Sequence, residues 1–255
     1  MIINTNDVIN SAYKLQIENI CKKYEYIFEI YISIHKSNYE DIEIDRLKKC
    51  LNALLFKFTL TILFLELLWK QSEINRENIA TTLDNSIIFH NWSDSEKILG
   101  SAFLEGTLFE ARAFLDIYER FCCLLFKYSK PNTAGTQAFY RILENKINEP
   151  FKKNAKEVSH IFQTEVFGEE KWGNKLKSLR DKIAHFDIIN PNFEGAEVVN
   201  GILLDWPTLN KKTYDRFLQE NVLNELFLFM TSMAKILFGI EWMPGTIEEF
   251  KKKYS

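Results

Sequence analysis

One segment near residue 180 combines two side chains that together can cleave RNA without a metal ion. It contains Arg180 and His185, with four residues between them. The planar guanidinium of arginine is permanently charged and matches phosphate oxygens, and the imidazole of histidine takes and gives a proton near neutral pH. The pattern therefore predicts a site in which His185 assists attack by the 2′-hydroxyl or protonates the leaving oxygen. Arg180 would hold the phosphate and stabilise charge in the transition state.

Helix geometry limits how these two side chains can meet. Residues five apart differ by about 140° around a helix axis. Arg180 and His185 therefore converge only if the helix ends or bends near His185, or if the long arginine side chain curls round it. Asp181 and His185 are four apart and share a helix face, so a carboxylate at position 181 can orient the imidazole.

This spacing resembles the motif of the HEPN superfamily. In that motif an arginine is followed, after four to six residues, by a histidine, and Asn, Asp or His often comes directly after the arginine. Arg180, Asp181 and His185 match it in order and spacing. The resemblance implies an all-helical fold and a metal-independent endoribonuclease in which the two motifs of a homodimer meet in one cleft. It also implies a toxin–antitoxin, abortive-infection or other defence role, with RNA as substrate and an antitoxin as a candidate partner.

A second segment resembles the helix that precedes the motif helix in several HEPN families. It spans residues 109–120 and contains Arg112 and Asp116, which are four apart and share a helix face. The resemblance implies that a polar residue here faces the active cleft, whereas the alternative is a purely structural ion pair. We therefore predict Arg112, Asp116 and Asp181 as residues that support the site. The resemblance covers about residues 93–238.

The composition predicts an all-α fold. Glycine and proline number 9 and 5 in 255 residues, whereas average usage gives about 18 and 13, and the turns of sheet proteins use many of both. Apolar residues at helical spacing predict a bundle of about five long helices. The predicted helices cover about residues 5–35, 41–71, 93–127, 171–185 and 213–238, with a further one over 136–148 and a connection over 72–92.

A dipeptide between two apolar, β-branched runs predicts a small β-hairpin insertion. Asn200-Gly201 lies between such runs and tolerates the positive φ angles of a type I′ turn, so we expect a hairpin over about residues 197–206. The chain has no linker long enough to separate two domains. We expect one domain over residues 1–255, with N-terminal helices of unassigned role in 1–92 and the HEPN-like core in 93–238.

Other features argue against membrane, secreted and cofactor-dependent classes. Residues 51–69 are apolar but include Lys57 and Glu66, whereas a spanning helix needs about 20 apolar residues with few charges, so a central helix of a soluble bundle is expected. The N-terminal residues lack a signal-peptide pattern, and the four cysteines are expected to be reduced in a cytoplasmic protein. No cofactor motif or metal-ligand spacing appears, so neither a cofactor nor a metal is predicted.

Two other functions remain open at this point. A HEPN-like domain without catalytic activity would serve as a dimerisation or interaction module, and an unrelated helical protein would bind a partner through an apolar groove. An Arg-x4-His spacing also occurs by chance. In that case Arg180 and Asp181 are surface charges, and His185 is a helix-terminal residue favoured by the helix dipole.

Overall fold

The computed structural model of the chain describes residues 12–81, 94–128, 135–184, 192–199, 202–209, 212–213, 218 and 222–254. Most of these residues are helical, which confirms the predicted helical class. Their α-helices are α1 (Ala12–His35), α2 (Asp41–Thr81), α3 (Asp94–Leu125), α4 (Thr136–Asn145), α5 (Lys152–Ile161), α6 (Trp172–Ala184), α7 (Asn224–Phe238) and α8 (Ile247–Tyr254). A 3-10 turn spans Lys36–Asn38 and a π-helical turn spans Phe162–Val166.

The two longest helices, α2 and α3, pack along each other at the centre of the fold. The rings of Phe58 on α2 and Phe114 on α3 are fully buried, with centroids 6.0 Å apart. The part of α2 over Asp41–Gln71 is long and apolar enough to cross a membrane by length and composition, and half of its most apolar stretch is buried within the protein. Lys57 of that stretch forms a 2.7 Å ion pair with Glu110 on α3. A helix that is apolar nearly all round and packs against a neighbouring helix has the pattern of a core helix.

Aromatic side chains join α1, α3 and α7 in the core. Tyr24 on α1 and Tyr118 on α3 are fully buried, and their hydroxyl oxygens lie 3.1 Å apart. The Tyr24 hydroxyl donates to the carbonyl oxygen of Met230 on α7. Because each hydroxyl carries one proton, Tyr118 must be the donor in the bond between the two tyrosines. Phe229 on α7 packs edge-on against Tyr118, with ring centroids 4.7 Å apart.

Tyr24→Phe is expected to lower the free energy of unfolding more than Tyr118→Phe. The first change removes the acceptor of the Tyr118 hydroxyl and leaves that buried group unpaired, at a cost of about 1–3 kcal/mol. The second removes only a donor to an oxygen that keeps its own bond to Met230, and should cost about 1 kcal/mol. Urea unfolding of both variants measures the two losses. A larger loss in Tyr118→Phe would contradict the assigned direction of the hydrogen bond.

The buried ammonium of Lys23 ties the C-terminal part of the chain to α1. Lys23 is 2% exposed and donates to the carbonyl oxygens of Met243 at 2.9 Å and Gly245 at 2.6 Å. Its Nζ also lies 5.1 Å and 5.5 Å from the ring centroids of Trp242 and Phe250. Two carbonyl acceptors and two aromatic faces together compensate for removing this charge from water.

A small antiparallel sheet lies between α6 and α7 in chain order. Its strands are β1 (Asn192–Val199), β2 (Ile202–Leu209) and β3 (Lys212–Thr213), in the order β1-β2-β3. β1 pairs with β2 so that Val199 is opposite Ile202. The segment 197–206, for which the sequence predicts a hairpin, includes parts of β1 and β2, and the predicted turn residues Asn200-Gly201 lie outside the described residues.

Several predicted helix bounds are wrong. Helix α2 continues to Thr81, into the predicted connection over 72–92, because extending an existing helix is far easier than nucleating one; residues 82–93 lie outside the described ranges. The last long helix begins at Asn224 and not near residue 213, because Lys212–Thr213 pairs with β2.

Two short helices were not anticipated by the sequence analysis. Helix α5 follows Pro150, and α8 occupies the charged C-terminal segment. Ile247 and Phe250 are both buried, and they are three residues apart on one face of α8. Two apolar residues at that spacing anchor a helix that is otherwise charged.

Candidate polar site between helices α3 and α6

The predicted site residues lie on two helices that pack against each other. Arg112 and Asp116 are on α3, and Arg180 and Asp181 are on α6. His185, the predicted proton-transfer residue, follows the last residue of α6 and lies outside the described residues.

Two interactions fix the Arg112 guanidinium. Its Nη2 atom lies 2.6 Å from the Asp116 carboxylate, and its central carbon lies 4.9 Å from the ring centroid of Phe167, where a cation–π attraction acts. Arg112 is only 9% exposed, and its Nη1 atom is buried without a hydrogen-bond partner. The ion pair that was the structural alternative for Arg112 and Asp116 is therefore present, and the Nη1 group of the guanidinium remains unused.

The charges on α6 act on the carboxylate of α3. Burial raises the pKa of Asp116. The positive charges of Arg112 and then Arg180 lower this pKa, and the negative charge of Asp181 raises it. Arg180 and Asp181 also pair with each other at 3.2 Å, and each side chain is about two-fifths exposed. The predicted residues on α3 and α6 therefore share one electrostatic environment. We call Arg112, Asp116, Glu119, Arg180 and Asp181 the α3–α6 polar cluster.

Glu119 belongs to this cluster and was missed by the sequence analysis. It is 2% exposed, and its Oε1 atom is buried without a hydrogen-bond partner. Burial raises the pKa of Glu119 to about 7, although Arg112 lowers it; Asp116 raises it further. The signal was available, because residues 112, 116 and 119 are spaced i, i+4 and i+7 and so lie on one face of α3.

A cleft of about 610 Å³ opens beside the cluster, between α4, the π-helical turn and α6. Tyr140 in its wall is 8% exposed, and the hydroxyl groups of Tyr140 and Thr136 are buried without a hydrogen-bond partner. Burial raises the pKa of Tyr140, Glu119 raises it further and Arg112 lowers it, so the cleft is coupled to the cluster. The lining residues are Gly135, Thr136, Gln137, Tyr140, Arg141, Glu144, Gln163, Phe167, Asn174 and Lys177.

Close packing at the start of α6 sets the position of this helix. A Cβ atom at Gly173 would lie 2.6 Å from Val166 Cγ1 and 2.8 Å from the Val166 carbonyl oxygen. Only glycine allows the helix to approach the π-helical turn this closely. The turn and α6 therefore form one wall of the cleft, and π-helical turns are frequent at functional sites.

Other candidate groups lie away from the cluster. A larger cleft, of about 990 Å³, is lined mainly by α5, the start of α6 and α7, and contains none of the predicted site residues.

The four cysteines are free thiols, and burial raises the pKa of Cys50 to about 11 and that of Cys123 to about 12. These two thiols are poor nucleophiles at neutral pH. In the part of the chain that the structure describes, no group of three or more His, Cys, Asp or Glu side chains could hold a metal ion.

Comparison with known proteins gave no match. No protein-family model matches the chain, and no curated protein or solved structure matches it either.

Proposed function

We propose that the protein is a metal-independent endoribonuclease of HEPN type that cleaves single-stranded RNA. One observation carries the proposal: α6, which bears Arg180 and Asp181, packs against α3, which bears Arg112 and Asp116, and the charges on α6 act on Asp116. The sequence resemblance predicts that polar residues of these two helices meet at one site.

Each residue has a role in this reaction. The 2′-hydroxyl attacks the adjacent phosphorus, the bond to the 5′-oxygen breaks, and the products are a 2′,3′-cyclic phosphate and a 5′-hydroxyl. His185 takes the proton of the 2′-hydroxyl or gives one to the leaving oxygen. Arg180 holds the phosphate and stabilises the charge that develops on it, while Asp181 orients the imidazole. Arg112 and Asp116 form an ion pair that supports the cleavage site.

The exposure of the motif residues fits this assignment. The Arg180 side chain is 42% exposed, and its ion pair with Asp181 is long, at 3.2 Å. Exposed ion pairs contribute little to stability, so a phosphate that offers two oxygens to the guanidinium can compete with Asp181. Arg112 is held more firmly, which suits a supporting residue better than a catalytic one.

The active form in this proposal is a homodimer, because two Arg–His pairs across a two-fold axis build a more complete site than one poorly convergent pair. In this proposal the chain is one domain whose long helices form a bundle. The protein would act in the cytoplasm in a defence role, and an antitoxin partner would restrain it. Light scattering should then give about twice the chain mass of 30.1 kDa, and a monomer at micromolar concentration would contradict the dimer.

Cleavage of RNA in the presence of EDTA tests the proposed function. The purified protein should cut single-stranded RNA under these conditions and leave a 2′,3′-cyclic phosphate or its hydrolysis product, identified by mass spectrometry. DNA and 2′-O-methyl RNA of the same sequence serve as matched controls and should resist, because neither has a free 2′-hydroxyl. An RNA that stays intact with a folded dimer would favour the inactive interaction module.

A further inference from the structure

We propose that the 610 Å³ cleft binds one nucleotide of the RNA, with its base against Phe167 and its phosphate between the start of α4 and Lys177. This inference rests on the proposed function for the identity of the ligand as RNA. It goes further because it assigns a binding site to residues outside the Arg–His motif.

The start of α4 supplies donors for a phosphate. Gly135, the residue before the helix, makes no side-chain cap, and the first turn of α4 contains no acidic residue. The first N–H groups of a helix have no partner within it and lie at the positive end of its dipole, which makes a helix start a good phosphate site. Thr136 adds a buried hydroxyl without a partner on the same wall.

The charge of the cleft also favours an anion. Arg141 and Lys177 line it together with a single carboxylate, Glu144. The Oε1 atom of that carboxylate already accepts hydrogen bonds from Gln163 at 2.7 Å and Ser159 at 3.2 Å. The lining residues therefore carry a net positive charge.

The remaining wall suits an aromatic base rather than a bare phosphate. Phe167 is partly buried and lines the cleft, with the Arg112 guanidinium packed on its ring. Bases stack on aromatic side chains in single-strand binding sites. Tyr140, which is more than nine-tenths buried, brings a hydroxyl without a partner to the same wall. Asn174 adds an amide that can bond to the edge of a base.

The cleft lies beside the proposed cleavage site. Lys177 and Arg180 are both on α6, three residues apart, which corresponds to a rise of about 4.5 Å on the same side of the helix. A phosphate held by Lys177 and a second phosphate held by Arg180 would then belong to neighbouring nucleotides of one strand.

Calorimetric titration with small ligands tests this assignment. Adenosine 5′-monophosphate and uridine 5′-monophosphate should bind the wild-type protein more tightly than inorganic phosphate does, because only the nucleotides bring a base to Phe167. Phe167→Leu should weaken nucleotide binding about tenfold and leave phosphate binding unchanged. Lys177→Gln should weaken the binding of both kinds of ligand. Since Lys177 is exposed, its replacement leaves the fold intact.

Two substitutions outside the cleft serve as matched controls. Lys175→Gln lies on the same helix but faces the larger cleft, and Phe56→Leu replaces a phenylalanine that is 60% exposed on α2. Both should bind nucleotides like the wild type. Inorganic phosphate that binds as tightly as the nucleotides, or nucleotide binding that Phe167→Leu leaves unchanged, would overturn the base contact.

The nucleotide-binding test of the cleft and the RNA-cleavage test of the proposed function can give opposite answers. RNA cleavage that is lost in His185→Ala, together with no nucleotide binding by the wild type, would reject the cleft and retain the ribonuclease. Nucleotide binding that depends on Phe167 and Lys177, together with no RNA cleavage, would retain the cleft and reject the ribonuclease.

Discussion

His185→Ala is expected to cleave single-stranded RNA about 10²–10⁴-fold more slowly than the wild-type protein, because proton transfer by a positioned side chain contributes that much to catalysis. The rate constant should be measured with EDTA present and at saturating RNA, so that binding does not limit it. His160→Ala is the matched control, since His160 is exposed on α5 and has no assigned role. Equal rates for His185→Ala and the wild type would remove His185 from the mechanism.

Arg180 variants separate charge from geometry in the same assay. Arg180→Ala should lose about as much activity as removal of an oxyanion-stabilising donor, about 10²–10³-fold. Arg180→Lys should recover only part of this loss, because lysine keeps the charge but cannot grip a phosphate with two parallel donors. Asp181→Asn should have a smaller effect if Asp181 acts by orienting the imidazole. Arg120→Ala, which removes an exposed arginine on α3, is the control.

Glu119 is expected to make the free energy of unfolding depend on pH. The pKa of Glu119 is raised to about 7 in the folded protein, above the ordinary value of about 4.3 that applies in the unfolded chain. Between these two values the folded state binds more protons than the unfolded state. The contribution of protonated Glu119 to stability is therefore complete below about pH 4, and it is lost as the pH rises through about 7. The full difference corresponds to about 4 kcal/mol.

Glu119→Gln isolates this effect, because the amide has the shape of the protonated carboxyl group and does not titrate. The free energy of unfolding from urea titrations at pH 5 and pH 8 should fall by about 2–3 kcal/mol more in the wild type than in Glu119→Gln. Glu157→Gln, which changes an exposed glutamate on α5, should keep the pH dependence of the wild type. The same pH dependence in all three proteins would show that Glu119 is ionised in the folded state.

The sequence predicted the helical class well and the ends of helices less well. Long amphipathic patterns identified α1, α3 and the apolar part of α2, since burial of an apolar face stabilises such helices. The extension of α2 to Thr81 was missed because its last residues lack apolar spacing. Helix α8 was missed because Phe250 finds its partners in Tyr26 and Trp242, which are contacts that local patterns do not contain.

The candidate site was also predicted only in part, because contacts between helices are not contained in local sequence patterns. Arg112 and Asp116 were identified from their spacing along one helix, and their ion pair is present. The coupling of Asp116 to Arg180 depends on how α3 packs against α6, which the spacing within each helix does not determine. Phe167 and Tyr140 were not recognised because single aromatic residues in a sequence rich in them carry no signal until packing brings them to one cleft.

The burial of Lys23 bears on the order in which the protein folds. Its hydrogen bond to the carbonyl oxygen of Gly245 joins residues 222 positions apart. Closing so long a loop costs much more chain entropy than forming a local contact, and contacts of this kind slow folding. Docking of α8 onto α1 is thus expected to be a late event in folding. Amide hydrogen exchange in α8 would then report when the two distant parts of the chain have come together.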